Sequence, residues 1–92
     1  HVIRFNAQSM ESQYCQLASA TNAVSGDDSE ALATFIAEIT QRSGLATRLE
    51  PQGVNAGQLT MLAADAAKQW TAQFNPRTVE AEDLLALYQQ AF

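Results

Sequence analysis

Apolar residues recur at helical spacing along most of this chain, and nowhere alternate at a period of two over a useful length. The clearest stripe is Leu32, Phe35, Ile36 and Ile39, at i, i+3, i+4 and i+7. Asp27, with Glu30 three residues on, resembles a capping box and predicts that this helix starts at Asp27. Gly44 suits the left-handed residue just beyond its end, and Arg42 sits in the last turn, where the helix dipole favours a cation. Upstream, residues 11 to about 23 form a first helix with Tyr14, Leu17, Ala18 and Thr21 on one face and Glu11, Gln13, Gln16 and Asn22 on the other, stopped by Ser25-Gly26. Residues 1 to 5 read as a helix tail or an extended lead-in, and residues 6 to 10 as a turn.

Residues 45 to 54 form a long connection, with Leu49 and Val54 as buried plugs along it. Asn55 caps a third helix with Gln58 three residues later, and Leu59, Leu62, Ala63, Ala66 and Trp70 continue its period. Residues 71 to 77 are a loop. Pro76 disfavours helical backbone at Asn75, and Thr78 is placed to cap the last helix. Glu80, Glu82 and Asp83 crowd its positive end as capping carboxylates. Adjacent residues on a helix point about 100° apart, so Glu82 and Asp83 do not converge on a ligand. Leu84, Leu87, Tyr88 and Ala91 make the final stripe. The expected fold is all-α, an antiparallel array of about four helices.

Composition narrows the function classes. With 92 residues, 47% of them hydrophobic, the chain is long enough for one small helical core. A net charge of -5, with its five basic residues scattered, excludes a nucleic-acid surface. No apolar run reaches the ~20 residues that span a bilayer, and no secretory signal is visible, so no membrane partner is expected. The lone Cys15 cannot make an internal disulfide, which fits a cytoplasmic setting. Its helical context predicts a quiet thiol. The chain opens on the apolar His-Val-Ile-Arg-Phe without a Met, which suggests processing or truncation.

Chemistry is sparse. His1 is the only histidine, and no His or Cys pair has metal-ligand spacing, so metal-ligating residues are expected to be none. The glycines form no phosphate-cradling motif and the serines no nucleophile elbow, so catalytic and cofactor-binding residues are likewise expected to be none. Trp70 and Phe74 flank the loop before the last helix. They read as core anchors or, alternatively, as the wall of a hydrophobic pocket.

Three ordered segments carry a family resemblance. His1-Val2-Ile3-Arg4-Phe5-Asn6-Ala7 is similar to a "Pro-His-Val-Met-Arg-Tyr-Asn" helix end. Ser43-Gly44-Leu45-Ala46-Thr47-Arg48-Leu49 with Gly53-Val54 resembles a "Gly-(Ile/Leu)-Pro-x-x-Leu…Gly-Val" connector. Asn75-Pro76-Arg77 with Glu82-Asp83-Leu84 and Leu87-Tyr88 resembles a terminal "Asn-Pro-Arg…Glu-Asp-Ile…Leu-Tyr". Together they resemble the distal part of the C-terminal helical domain of the iron-containing (group III) alcohol dehydrogenases, a dehydroquinate synthase-like fold.

The resemblance implies an enzyme that transfers hydride between a small alcohol and its aldehyde or ketone with NAD or NADP. It also implies Fe²⁺ or Zn²⁺ as a Lewis acid, an upstream dinucleotide-binding domain outside this chain, and a homo-oligomer. The family's metal ligands, an Asp and three His, and its glycine-rich cofactor loop all lie upstream of the matching segment, and His1 falls on a non-ligand position. This segment alone is therefore expected to be inactive. Family members often carry a cleft-lining Cys four residues before Asn-Pro-Arg. Thr71 stands there in this chain, with Phe74 where a small or polar residue is usual, so Thr71 and Phe74 are the expected substrate-cleft residues. Helix faces that pack on missing parts of such an enzyme would be open and would favour self-association. A stand-alone acidic helical interaction module is the alternative class.

Overall fold

Helices account for all the regular structure of the computed structural model, which describes residues 1–92. They are α1 (Val2–Ala20), α2 (Ser29–Arg42), α3 (Leu59–Ala67) and α4 (Ala81–Gln90), with short 3-10 turns at Glu50–Gln52, Ala56–Gln58 and Trp70–Phe74. There are no strands. The chain divides into two units, His1–Thr47 and Arg48–Phe92.

In the first unit α1 packs on α2. The turn expected over residues 6 to 10 is absent, because α1 runs unbroken from Val2. The stretch contains no Gly or Pro, and Ala7, Gln8, Met10 and Glu11 are good helix formers. Asn6, read from sequence as a turn residue, is 3% exposed inside the helix. The helix ends at Ala20, earlier than expected and ahead of Ser25-Gly26. Thr21 is extended there, and its hydroxyl accepts a hydrogen bond from the Ala23 N–H at 3.3 Å, a local turn that competes with helix. Of the predicted inner face, Ala18 is buried and Tyr14 half-buried, whereas Leu17 is exposed.

The cap of α2 lies one residue later than the sequence suggests. Asp28, not Asp27, is extended and accepts from the Ala31 N–H at 2.7 Å. Glu11 of α1 reaches across and accepts from the Ser29 N–H at 3.1 Å, so two carboxylates satisfy the first turn of α2. Arg4 clamps Glu30 through Nε at 2.7 Å and through Nη2 at 2.5 Å. The far end of α2 closes as a Schellman motif. Gly44 has φ +69°, the Leu45 N–H donates to the Thr40 carbonyl and the Gly44 N–H to Gln41.

These ties give the first unit an acid-sensitive seam. The hydrogen bond from Arg4 holds the Glu30 carboxyl below its usual value near 4.5, and hydrogen bonds from Ser29 do the same for Glu11. Carboxyls with lowered folded-state values bind protons more weakly in the folded chain. Their contribution is complete above the unfolded value and fades as pH falls through the folded one. Thermal unfolding should therefore shift to lower temperature as pH falls through and below the usual carboxylate range, and the paired variant E11Q/E30Q should flatten that slope. Because both groups are exposed, the slope should also shrink at high salt. An unchanged slope in the double variant would exclude these two groups as its source.

In the second unit α3 packs on α4. The Asn55/Gln58 capping box stands as the sequence predicts, with Gln58 Oε1 accepting from the Asn55 N–H at 2.9 Å. The first turn after Asn55 is 3-10 and passes directly into α3. Leu59 and Ala63 are buried at 6% and 2% exposed, with Leu62 and Ala66 half-buried beside them. The connection before α3 is tied to the end of α4: the Leu49 N–H donates to the Ala91 carbonyl at 2.9 Å and Arg48 Nε to the Phe92 carbonyl at 2.9 Å. Both donors face the negative end of α4. Leu49 and Val54 are half-buried, short of full plugs. On α4 the predicted stripe Leu84, Leu87, Tyr88 and Ala91 is half-buried.

Candidate functional site

The segment between α3 and α4 holds both residues that the sequence marks for substrate contact. Thr71 and Phe74 lie in the Trp70–Phe74 3-10 turn, and both are exposed. Trp70 is 68% and Phe74 73% exposed, which corrects the expectation of core anchors and of Trp70 continuing the buried period of α3. The reason is geometric. α3 ends at Ala67, Lys68 is its last helical-backbone residue, and Gln69 turns extended (φ -71°, ψ 127°), so Trp70 no longer lies on the inner helical face. Instead of packing inward, Trp70 and Phe74 pack on each other edge-to-face, with centroids 5.5 Å apart and planes at 87°. Such a pair contributes about 0.5–1.5 kcal/mol beyond area burial.

Polar groups hold the turn and its exit. The Ala72 N–H donates to the Gln69 carbonyl at 3.0 Å and the Asn75 N–H to Ala72 at 3.2 Å. The part-buried Asn75 side-chain amide donates to the Arg77 carbonyl at 2.6 Å, which shapes the Asn-Pro-Arg bend. Arg77 lies 3.9 Å from Asp83. The cap of α4 falls on Glu80, not on Thr78 as the sequence suggests. Glu80 and Asp83 form the capping box, with Asp83 Oδ2 accepting from the Glu80 N–H at 3.0 Å. A carboxylate at both cap positions suits the positive end of the helix. A small recess of about 230 Å³ opens beside the turn, lined by Ala67, Ala72, Gln73, Asn75, Thr78 and Val79.

The first unit has a larger groove, of about 440 Å³, between the start of α1 and the flank of α2, where Val2, Ile3, Ala33, Ile36 and Ala37 are among the lining. Its only strongly charged side chain is Arg4, already committed to Glu30. Cys15 is half-buried on α1. Burial pushes its thiol up, and the neighbouring carboxylates of Glu11, Asp27 and Asp28 push it further, so it is a poor nucleophile at neutral pH. No three of the His, Cys, Asp and Glu side chains gather to hold a metal ion. The donors present in this chain do not fit an iron site. No helix is long and apolar enough to cross a membrane.

The structure thus defines an all-helical segment that presents one aromatic turn and a shaped Asn-Pro-Arg bend, without a metal cradle of its own. A family model described as the Fe-containing alcohol dehydrogenase family, C-terminal, matches residues 1–92, and the chain belongs to that family as its C-terminal part. Comparison with curated proteins and with solved structures gave no match. What sequence reading missed is the pairing of Trp70 with Phe74. The signal was present in the four-residue spacing of two aromatics, but spacing alone could not say which side they face.

Proposed function

We propose that this chain is the distal helical part of a metal-dependent alcohol dehydrogenase that moves hydride between an alcohol and NAD or NADP. The observation that carries the reading is the family match over residues 1–92. The match is to the C-terminal part of the family, which supports a division of labour in which iron (or zinc) and the nicotinamide cofactor belong to an upstream part of the same polypeptide, including a dinucleotide-binding domain. When bound, the metal polarises the alcohol or carbonyl oxygen. The role of this chain is to close the substrate side of that site. Thr71 contributes a hydroxyl and Phe74 an apolar ring to the cleft wall. The enzyme works in the cytoplasm as a homo-oligomer.

The test is an assay of the intact gene product, loaded with Fe²⁺, for alcohol-dependent reduction of NAD and NADP. Turnover that a chelator abolishes and added Fe²⁺ restores is the expected result. The isolated residues 1–92 should give none under the same conditions. Full turnover by that isolated piece, or an intact product that oxidises no alcohol, would end the proposal.

A further inference from the structure

We propose that Trp70 is a positioning residue for substrate choice: by its edge-to-face contact it fixes the Phe74 ring, and the pair forms an aromatic wall that favours alcohols with an apolar chain or an aryl group. This rests on the reading above that the Trp70–Phe74 turn faces the substrate cleft, and it adds a residue and a substrate class to it. Two observations carry it. First, both rings stay out of the core, at 68% and 73% exposed, yet they pack edge-to-face on each other at 5.5 Å and 87°. Two apolar rings in mutual contact on the surface offer one continuous apolar face to a ligand, and each ring that already rests on the other has less freedom to lose on docking than a lone ring would. Second, the turn is electrically neutral. Trp70, Thr71, Ala72, Gln73 and Phe74 carry no charge, and the flanking cations are engaged: Lys68 with Asp65 at 3.3 Å and Arg77 beside Asp83. A substrate carrying phosphate or carboxylate would find no counter-charge among the five residues of the turn itself, whereas a hydrocarbon group would cover the rings.

The role of Trp70 is indirect. Removing its ring leaves Phe74 without its only aromatic neighbour in this chain and free to change rotamer. Selectivity should then fall even where Trp70 itself does not touch substrate.

The experiment compares the intact enzyme with W70A, W70F, F74A and W70A/F74A, using ethanol, 1-hexanol and benzyl alcohol. In W70A the ratio of kcat/KM for 1-hexanol or benzyl alcohol to that for ethanol should drop about tenfold, the scale expected for losing apolar contact in a pocket, and mainly through KM. W70F keeps a ring and should recover most of the ratio. F74A should match W70A, and the double variant should fall little further, since both act through one wall. A ratio in W70A equal to wild type would overturn the inference, and so would a W70F loss as large as that of W70A. Altered subunit assembly in W70A with an unchanged ratio would overturn it too, by making the pair a protein contact. An intact enzyme active on alcohols but indifferent to these variants leaves the dehydrogenase reading standing and removes only this one. An intact product inactive on every alcohol removes both.

Discussion

Gly26→Ala should destabilise the first helical unit by about 2 kcal/mol, well beyond the effect of the same change at Gly44. Gly26 has φ +134°, where L-residues are strained, and a Cβ built there would lie 2.7 Å from the Ala31 side chain. Ala31 sits in the first turn of α2, fixed by the hydrogen bond from its N–H to Asp28, so it cannot move aside without loosening the cap. The alanine reduces the freedom of the unfolded chain, which returns about 0.4–1 kcal/mol, but backbone strain and overlap outweigh that. Gly44 is the internal control. Its φ of +69° is also left-handed, yet nothing lies within 4 Å of a Cβ there. Gly44→Ala should therefore cost only the strain, about 1 kcal/mol. Thermal or urea unfolding of the two variants reads the difference directly. An equal loss at the two positions would mean that the close approach at Gly26 relaxes freely.

Leu59→Ala is the second large effect, expected to cost about 2–4 kcal/mol. The buried apolar set is Ala18, Ala33, Leu59 and Ala63, and Leu59 is its one large member. It sits on the first turn of α3, just after the capping box, and the neighbouring Ala63 is too small to fill the space it would leave. Leu59→Met, which keeps volume, should cost under about 1.5 kcal/mol. Urea midpoints of the two variants test this pair. A Leu59→Ala loss no greater than that of Leu59→Met would show that α3 and α4 collapse into the vacated space. The expectation follows from how little of this chain is deeply buried. Val2, Leu17, Ile36, Ile39, Leu45 and Met61 all remain exposed, so few side chains carry the packing.

Those exposed residues mark where periodicity stops being informative. The stripe Leu32, Phe35, Ile36 and Ile39 reads as a single buried face, yet Ile36 and Ile39 remain open while Leu32 and Phe35 are half-covered. Leu17 and Ala18 share one predicted face, and only Ala18 is inside. A helical period says which residues share a side. It does not say how wide a neighbouring helix is or where that helix ends. The candidate site shows the same limit. The Asn-Pro-Arg motif singles out Thr71 and Phe74 beside it, but the apolar period of α3 continues through Trp70. The extended backbone at Gln69 is what turned it outward.

Sequence by itself settled the local grammar of this protein: all-helical elements, the left-handed Gly44, the Asn55/Gln58 box, the acidic start of α4, and the motifs that mark the family. Each depends on residues within a few positions of one another, where backbone hydrogen bonds and φ preferences dominate. Tertiary structure decided what distant residues do to each other. It brought Glu11 onto the first turn of α2, joined Arg48 to the end of α4, and left Trp70 and Phe74 in the open. Burial and long-range hydrogen bonds depend on which elements meet, and no local pattern encodes the meeting.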